Sequence, residues 1–225
     1  MNRGKLIVIE GTDSSGKATQ TDLLYKKLKE EGRKVMKIDF PNYESESSIF
    51  VKKYLNGDYG KDADSIDPYI VSTFYTLDRF DTFKRGVEKF YLDGGILVSD
   101  RYTTANMIHQ ASKIEDKQLR DKFLDWLCDF EYNLYKLPEP DMVIFLDLPT
   151  EFSNKLNENR ANKIDGSSTK DIHESNKLHL EKAYCNAKYV ADKYNWVTIK
   201  CDSEGKVRSK ENIAEEIYQE VTKII

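Results

Sequence analysis

Residues 6 to 20 read Leu-Ile-Val-Ile-Glu-Gly-Thr-Asp-Ser-Ser-Gly-Lys-Ala-Thr-Gln, and this stretch constrains the fold more than any other. Its short apolar run reads as a strand buried in a parallel sheet, and a glycine-bounded loop then turns into a charged segment of helical period. Gly11 and Gly16 lack a Cβ, so the backbone between them can point its N–H groups inward around a polyphosphate. A helix beginning near Ala18 adds the positive end of its dipole, and Lys17 supplies a mobile point charge. The spacing from Gly11 to Lys17 is that of a phosphate-binding loop, G-x-x-x-x-G-K. An ordinary Gly/Ser turn is the competing reading, and the strand before and helix after argue against it. The residues expected to hold a nucleotide's phosphates are therefore Gly11, Thr12, Asp13, Ser14, Ser15, Gly16, Lys17, Ala18 and Thr19.

One position departs from the pattern. The residue after the lysine, normally a Ser or Thr that binds Mg²⁺, is Ala18, and Thr19 lies one step late, about 100° around a helix. The metal is then expected to be held by the nucleotide, by water and by a carboxylate elsewhere, with Asp100 as the candidate.

At 225 residues the chain suits one α/β domain with a full core and is short for two. A net charge of −4 gives no general attraction to polynucleotides or anionic membranes, so neither is expected as a partner. Cys128, Cys185 and Cys201 are odd in number and widely spaced, which argues against a disulfide framework or a zinc site. The first residues enter a strand without a long hydrophobic region, and no later stretch approaches membrane-spanning length, so a cytoplasmic location is expected.

Along the chain, the pattern predicts a helix from Ala18 to about Glu31, stopped by Gly32, and a second strand from Val35 to Phe40, ended by Pro41. This strand–helix–strand unit requires a parallel sheet and a right-handed crossover. A loop at Asn42–Ser45 precedes a short helix through Phe50–Leu55. Asp67-Pro68 opens a long helix to about Leu92, on which Tyr75 and Arg79 share one face. Ile96–Asp100 is a third buried strand, running directly into Arg101-Tyr102 and so placing a carboxylate and a guanidinium at the edge that carries the phosphate loop. Helices follow at about Thr104–Ser112 and Lys117–Tyr135, then a central strand at Met142–Asp147. Residues 154–175 are polar, with Gly166-Ser167-Ser168 in the middle and Arg160, Lys163 and Lys170 around it. They read either as a surface loop or as a lid. A helix from Glu174 to Tyr194, a fifth strand from Trp196 to Cys201 and a helix from Lys210 to Ile225 complete the chain.

The phosphate loop, Phe40-Pro41, the Tyr75/Arg79 helix, Asp100-Arg101-Tyr102 and the basic segment, in this order and spacing, resemble the thymidylate kinase family over essentially the whole chain. The resemblance implies a P-loop NTPase fold, a five-stranded parallel sheet flanked by helices with a lid insertion, in a Mg²⁺-dependent homodimer that phosphorylates thymidine 5′-monophosphate (dTMP) from ATP. By matching positions, Tyr75 would stack on thymine, Arg79 and Asn106 would contact the base, Asp13 the acceptor deoxyribose, and Arg101 the acceptor phosphate. Phe40 and Tyr43 would line the same acceptor site. Family members carry a charge-neutralising arginine either in the phosphate loop or in the lid. The loop position here is Ser14, so the chain resembles the lid-arginine type, with Arg160 as the candidate cation among the expected catalytic residues Lys17, Arg101, Arg160 and Asp13. Two further departures bear on the acceptor: Tyr43 stands where many members carry a phosphate-binding arginine, and His109 where some place a tyrosine that excludes ribose.

Two other readings stay open on the residues alone. One is a different small-molecule kinase of the same architecture, acting on a deoxynucleoside or on uridylate. The other is a nucleotide-binding regulator without turnover, for which Ala18 is the supporting residue.

Overall fold

The computed structural model describes residues 3–60, 62–157 and 177–225. Strand β1 (Lys5–Glu10) leads into helix α1 (Lys17–Glu30), followed by β2 (Val35–Asp39), α2 (Ile49–Leu55) and α3 (Pro68–Thr82). Asp67 caps α3, accepting from Tyr69 N at 2.8 Å, and Pro68 occupies its first turn. The expected run to Leu92 is continuous but not uniform: α3 passes through a π-helical turn at Phe83–Val87 into α4 (Glu88–Leu92). Next come β3 (Ile96–Asp100), α5 (Thr103–His109) and α6 (Lys117–Cys128), and α6 ends in a second π-helical turn, Asp129–Leu134. The order closes with β4 (Met142–Asp147), α7 (Thr150–Asn157), α8 (Lys177–Lys193), β5 (Val197–Lys200), the short β6 (Asp202–Ser203) and β7 (Lys206–Val207), and α9 (Lys210–Val221).

The five long strands form one parallel sheet in the order β2-β3-β1-β4-β5. Alternation along β1 divides the core in two. Ile7 and Ile9 face Leu24 and Leu28 of α1 and Ile213 and Ile217 of α9, while Leu6 and Val8 face Phe83, Val87 and Tyr91 on the other side. Both faces are covered, as an all-parallel sheet requires. Among the described residues no helix is long and apolar enough to cross a membrane, and the three cysteines are free thiols.

Several boundaries differ from the sequence reading. The segment expected to begin a lid at 154 is helical through Asn157, because Leu148-Pro149-Thr150 starts a helix the polar composition hides. Between β5 and α9 the chain makes a hairpin whose two turn residues, Glu204 and Gly205, both take positive φ, the geometry a tight antiparallel turn needs. The last helix stops at Val221 rather than Ile225.

Away from the sheet, one buried ion pair locks the helices that flank the strand ends. Arg79 of α3 donates from Nε to Glu131 Oε2 at 2.7 Å and from Nη2 to Glu131 Oε1, and both side chains are essentially inaccessible. Thr76 and Thr103 donate to the same carboxylate at 3.0 and 2.6 Å. With its oxygens so satisfied, Glu131 joins α3, α5 and the turn after α6. Removing one partner of such a pair costs about 3–5 kcal/mol, because the other charge is left buried and bare.

Candidate active site

Strand register brings the chemistry together. Ile9 lies opposite Asp100 in the β1–β3 ladder, and Asp39 lies opposite Asp100 in the β2–β3 ladder, so three strands end at one level. The crossing chains are tied there: Arg101 N donates to Ile9 O at 3.2 Å, and Phe40 N to Asp100 O at 3.0 Å. Arg101 takes φ +67, a left-handed conformation unusual for a bulky residue, as the chain leaves β3 for α5. A cavity of about 270 Å³ opens at this edge. Its wall includes Asp13, Ala18, Phe40, Tyr43, Tyr75, Arg79, Asp100, Arg101, Asn106, His109 and Gln110. The acceptor-side residues expected from the sequence thus all line this one cavity.

The loop itself has the geometry of an anion cradle. A Cβ on Gly11 would sit 2.5 Å from Ser15 Oγ and 3.1 Å from the Leu146 carbonyl, so no larger residue fits. Gly16 takes φ +94 at the N-cap of α1, and Ser14 takes φ +60. Thr12 Oγ1 and Ser15 Oγ are buried and find no hydrogen-bond partner among the described residues, and Lys17 Nζ folds back on Thr12 O at 2.7 Å. Buried hydroxyls left without partners, beside a lysine satisfied by its own loop, fit a site that phosphate oxygens complete. Thr19, expected at the phosphates, is exposed on the first turn of α1.

Beneath the loop lies Glu10, which the sequence reading passes over as the end of a strand. It is fully buried, accepts from Gly11 N at 3.0 Å and from Thr104 Oγ1 at 2.7 Å, and so connects the loop to α5. Burial raises its pKa, against the pull of Arg101 and Lys17. Burial also opposes the charge of Arg101, but the Asp13, Glu10 and Asp100 carboxylates outweigh it and hold the guanidinium firmly protonated. Lys17 is balanced differently. Burial, then repulsion from Arg101, brings its pKa down to about 7 despite the same carboxylates.

On the acceptor side, Tyr75 is half-buried in the cavity wall, and Arg79 has three of its five N–H groups committed: two to Glu131 and one to Tyr102 O at 3.3 Å. One N–H on each terminal nitrogen remains for a base. Asn106 and Gln110 stand one turn apart, and the buried Gln110 Oε1 has no partner among the described residues. Gln110 lines this cavity and the sequence reading misses it. Its only signal is the four-residue spacing from Asn106. Asp78 is likewise unforeseen: it accepts from Asn42 N at 2.8 Å and Ser47 Oγ at 2.9 Å, pinning to α3 the loop that carries Pro41 and Tyr43. Asp100 is 3% exposed in the same cavity as Ala18, which has no hydroxyl to offer a cation. No group of three or more His, Cys, Asp or Glu side chains among the described residues makes a metal cage. Mg²⁺ often binds through one carboxylate and substrate phosphates, and the site suits that mode. Arg160, Lys163, Lys170 and the rest of the expected lid beyond Asn157 lie outside the described residues.

Comparison with known proteins identifies a family and a shared fold. A family model described as thymidylate kinase matches residues 9–213. Thymidylate kinase from Plasmodium falciparum is 28% identical over 222 residues, covering 99% of this chain and 91% of its own. That from Mycobacterium tuberculosis is 25% identical over 202 residues, covering 88% and 92%. Among solved structures, thymidylate kinase from Candida albicans superposes with a TM-score of 0.71 at 20% identity, over 98% of this chain and 92% of that one, which bears on the fold.

The depressed pKa of Lys17 has a measurable consequence. A triphosphate in the loop restores a counter-charge, so binding should raise the lysine's pKa and take up a proton at and above pH 7. Calorimetric titration with ATP in buffers of different ionisation enthalpy should report net proton uptake at pH 8, and affinity should weaken as pH rises further. Uptake that persists undiminished in Lys17→Met would assign the proton to another group.

Proposed function

The chain belongs to the thymidylate kinase family, and we propose that it transfers the γ-phosphoryl group of ATP to dTMP, giving ADP and the diphosphate. The observation that carries this reading is a single cavity with two kinds of lining. Asp13 and Ala18 of the phosphate loop and the Arg101 that pairs with Asp13 share it with a flat aromatic, an arginine and two amide side chains. A pyrimidine with two carbonyls and one N–H suits Tyr75, Arg79, Asn106 and Gln110, since a ring can stack while amides both donate and accept. In this reading Arg101 takes the acceptor phosphate, Asp13 reaches the sugar, and Phe40 and Tyr43 close the side of the pocket.

Phosphoryl transfer asks a protein mainly to position two phosphates and to neutralise charge on the equatorial oxygens. The loop N–H groups and Lys17 hold the donor, with Lys17 leaving Thr12 O for a phosphate oxygen. Asp100 is the carboxylate that would hold Mg²⁺, which would neutralise phosphate charge when bound. The proposal extends to one kinase domain over residues 1–225, with 154–175 as its lid, acting in the cytoplasm as a homodimer. The dimer is supported by an exposed apolar strip. Phe50 stacks on Phe74, with ring centroids 5.6 Å apart, and Ile70 and Leu77 flank Phe74 on the same face of α3, 52% and 42% exposed. Sedimentation should give a dimer that Ile70→Lys weakens, and a wild-type monomer at micromolar concentration would refute it.

The activity is tested by ADP release across dTMP, dUMP, UMP and thymidine. Turnover should be fastest with dTMP, and Lys17→Ala should lower it about a hundredfold or more while the fold persists. ATP binding without turnover on any acceptor would instead favour the regulator reading.

The transition-state cation is assigned to Arg160. With Ser14 in the loop, Arg160→Ala should lower kcat with little change in either KM, and adding Ser14→Arg should recover part of the loss. An unaltered kcat would pass the role to Lys163 or Lys170.

A further inference from the structure

Two side chains grip the guanidinium of Arg101. Nη2 donates to Asp13 Oδ1, and Nη1 lies 2.8 Å from His109 Nε2. A guanidinium carries donors only, so this contact is a hydrogen bond only if Nε2 offers its lone pair, which puts the proton of a neutral ring on Nδ1. His109 is 6% exposed, and burial, then the neighbouring Arg101 charge, hold its pKa well below the ordinary value. His179 of α8 stacks on it at 6.0 Å between ring centroids with 22° between planes, and is itself buried. Among the described residues, the charged groups acting on the pair include Arg101, Asp13 and Lys17 at His109, and Lys113, Asp64, Asp13 and Asp62 at His179.

We propose that His109 is a positioning residue for Arg101. The neutral imidazole and the Asp13 carboxylate clamp one terminal nitrogen each, so the guanidinium meets the acceptor phosphate with its three remaining N–H groups already aimed. His179 packs on the imidazole and keeps it in register. The chemistry explains why a neutral acceptor occupies this place: a second carboxylate would fix the direction equally well but would cancel charge the phosphate needs. A lysine or an imidazolium would repel the guanidinium. The clamp's role rests on Arg101 as the phosphate anchor, and its geometry can be tested apart from that reading.

Nitrogen-15 spectra of the wild-type protein at neutral pH, in a chain with three histidines, should show His109 with a protonated Nδ1 and a bare Nε2. An Nε2–H tautomer or an imidazolium overturns the clamp whatever the enzyme phosphorylates. In turnover, His109→Phe keeps a flat ring against His179 but removes the acceptor, whereas His109→Gln keeps a neutral acceptor. Losing a hydrogen bond to a charged group should raise the monophosphate KM about tenfold in His109→Phe with the ATP KM unchanged, and His109→Gln should return it to within about threefold of wild type. A wild-type monophosphate KM in folded His109→Phe, or a His109→Gln no better than His109→Phe, overturns the positioning role. If His109→Phe does not fold, the wild-type tautomer and the KM of His109→Gln decide. A bare Nε2 with no monophosphate phosphorylated would sink the proposed activity while leaving the hydrogen bond to Arg101 standing.

Discussion

Parallel pairing of β1 with β3, with Ile9 opposite Asp100, is the constraint from which the site follows. A loop after one strand and an Asp-Arg pair after the other have no reason to meet in sequence, about ninety residues apart. Adjacent strands of equal reach put them side by side, and β2 on the far side of β3 brings Phe40-Pro41 to the same edge. Because both faces of the sheet are covered, a one-residue slip in β1 would exchange Ile7 and Ile9 with Leu6 and Val8 between two differently shaped cores. The packing that fixes the register therefore also fixes the distance from Asp13 to Arg101.

Within that frame the charges are arranged as a set. Glu10, Asp13 and Asp100 surround Arg101 and Lys17, and the two cations respond oppositely: Arg101 is held charged, while Lys17 is driven toward neutrality. The difference comes from contact. Arg101 pairs directly with Asp13, whereas Lys17 donates to a backbone carbonyl that brings no full charge. One cation is thus held charged in the empty site, and the other would regain full charge beside an anion.

What could be read from the sequence divides along the same line of local against distant. The phosphate loop, the strands and the Asp67-Pro68 helix start were legible because each is written in adjacent residues. Arg79 was legible as a candidate and does line the cavity, but its partner was not legible: Glu131 lies 52 positions away in a π-helical turn, where the helical period that ranks faces no longer holds. The trace it left was a charged residue near an apolar stripe. Glu10 was hidden because the end of a strand shows no preference for burial, and the His109–His179 contact because it joins two helices seventy residues apart. The hairpin at 202–207 had a local signal in Glu204-Gly205, too short to stand out between a strand and a helix.

For the proposed transfer, the charges at the described edge do not balance. A triphosphate and a monophosphate bring several negative charges into a space already flanked by three carboxylates. Against them the described residues at this edge set Lys17 and Arg101, since Arg79 is neutralised by Glu131 and Ala18 and Ser14 offer neither a metal ligand nor a cation. Bringing two anionic phosphates within bonding distance would meet mutual repulsion undiminished by bulk water. In the proposed reading the balance comes from a cation that travels with the nucleotide and from basic side chains elsewhere in the chain. The segment 154–175 carries Arg160, Lys163 and Lys170, and in that reading the serine at position 14 of the loop and the basic character of that segment answer one electrostatic requirement.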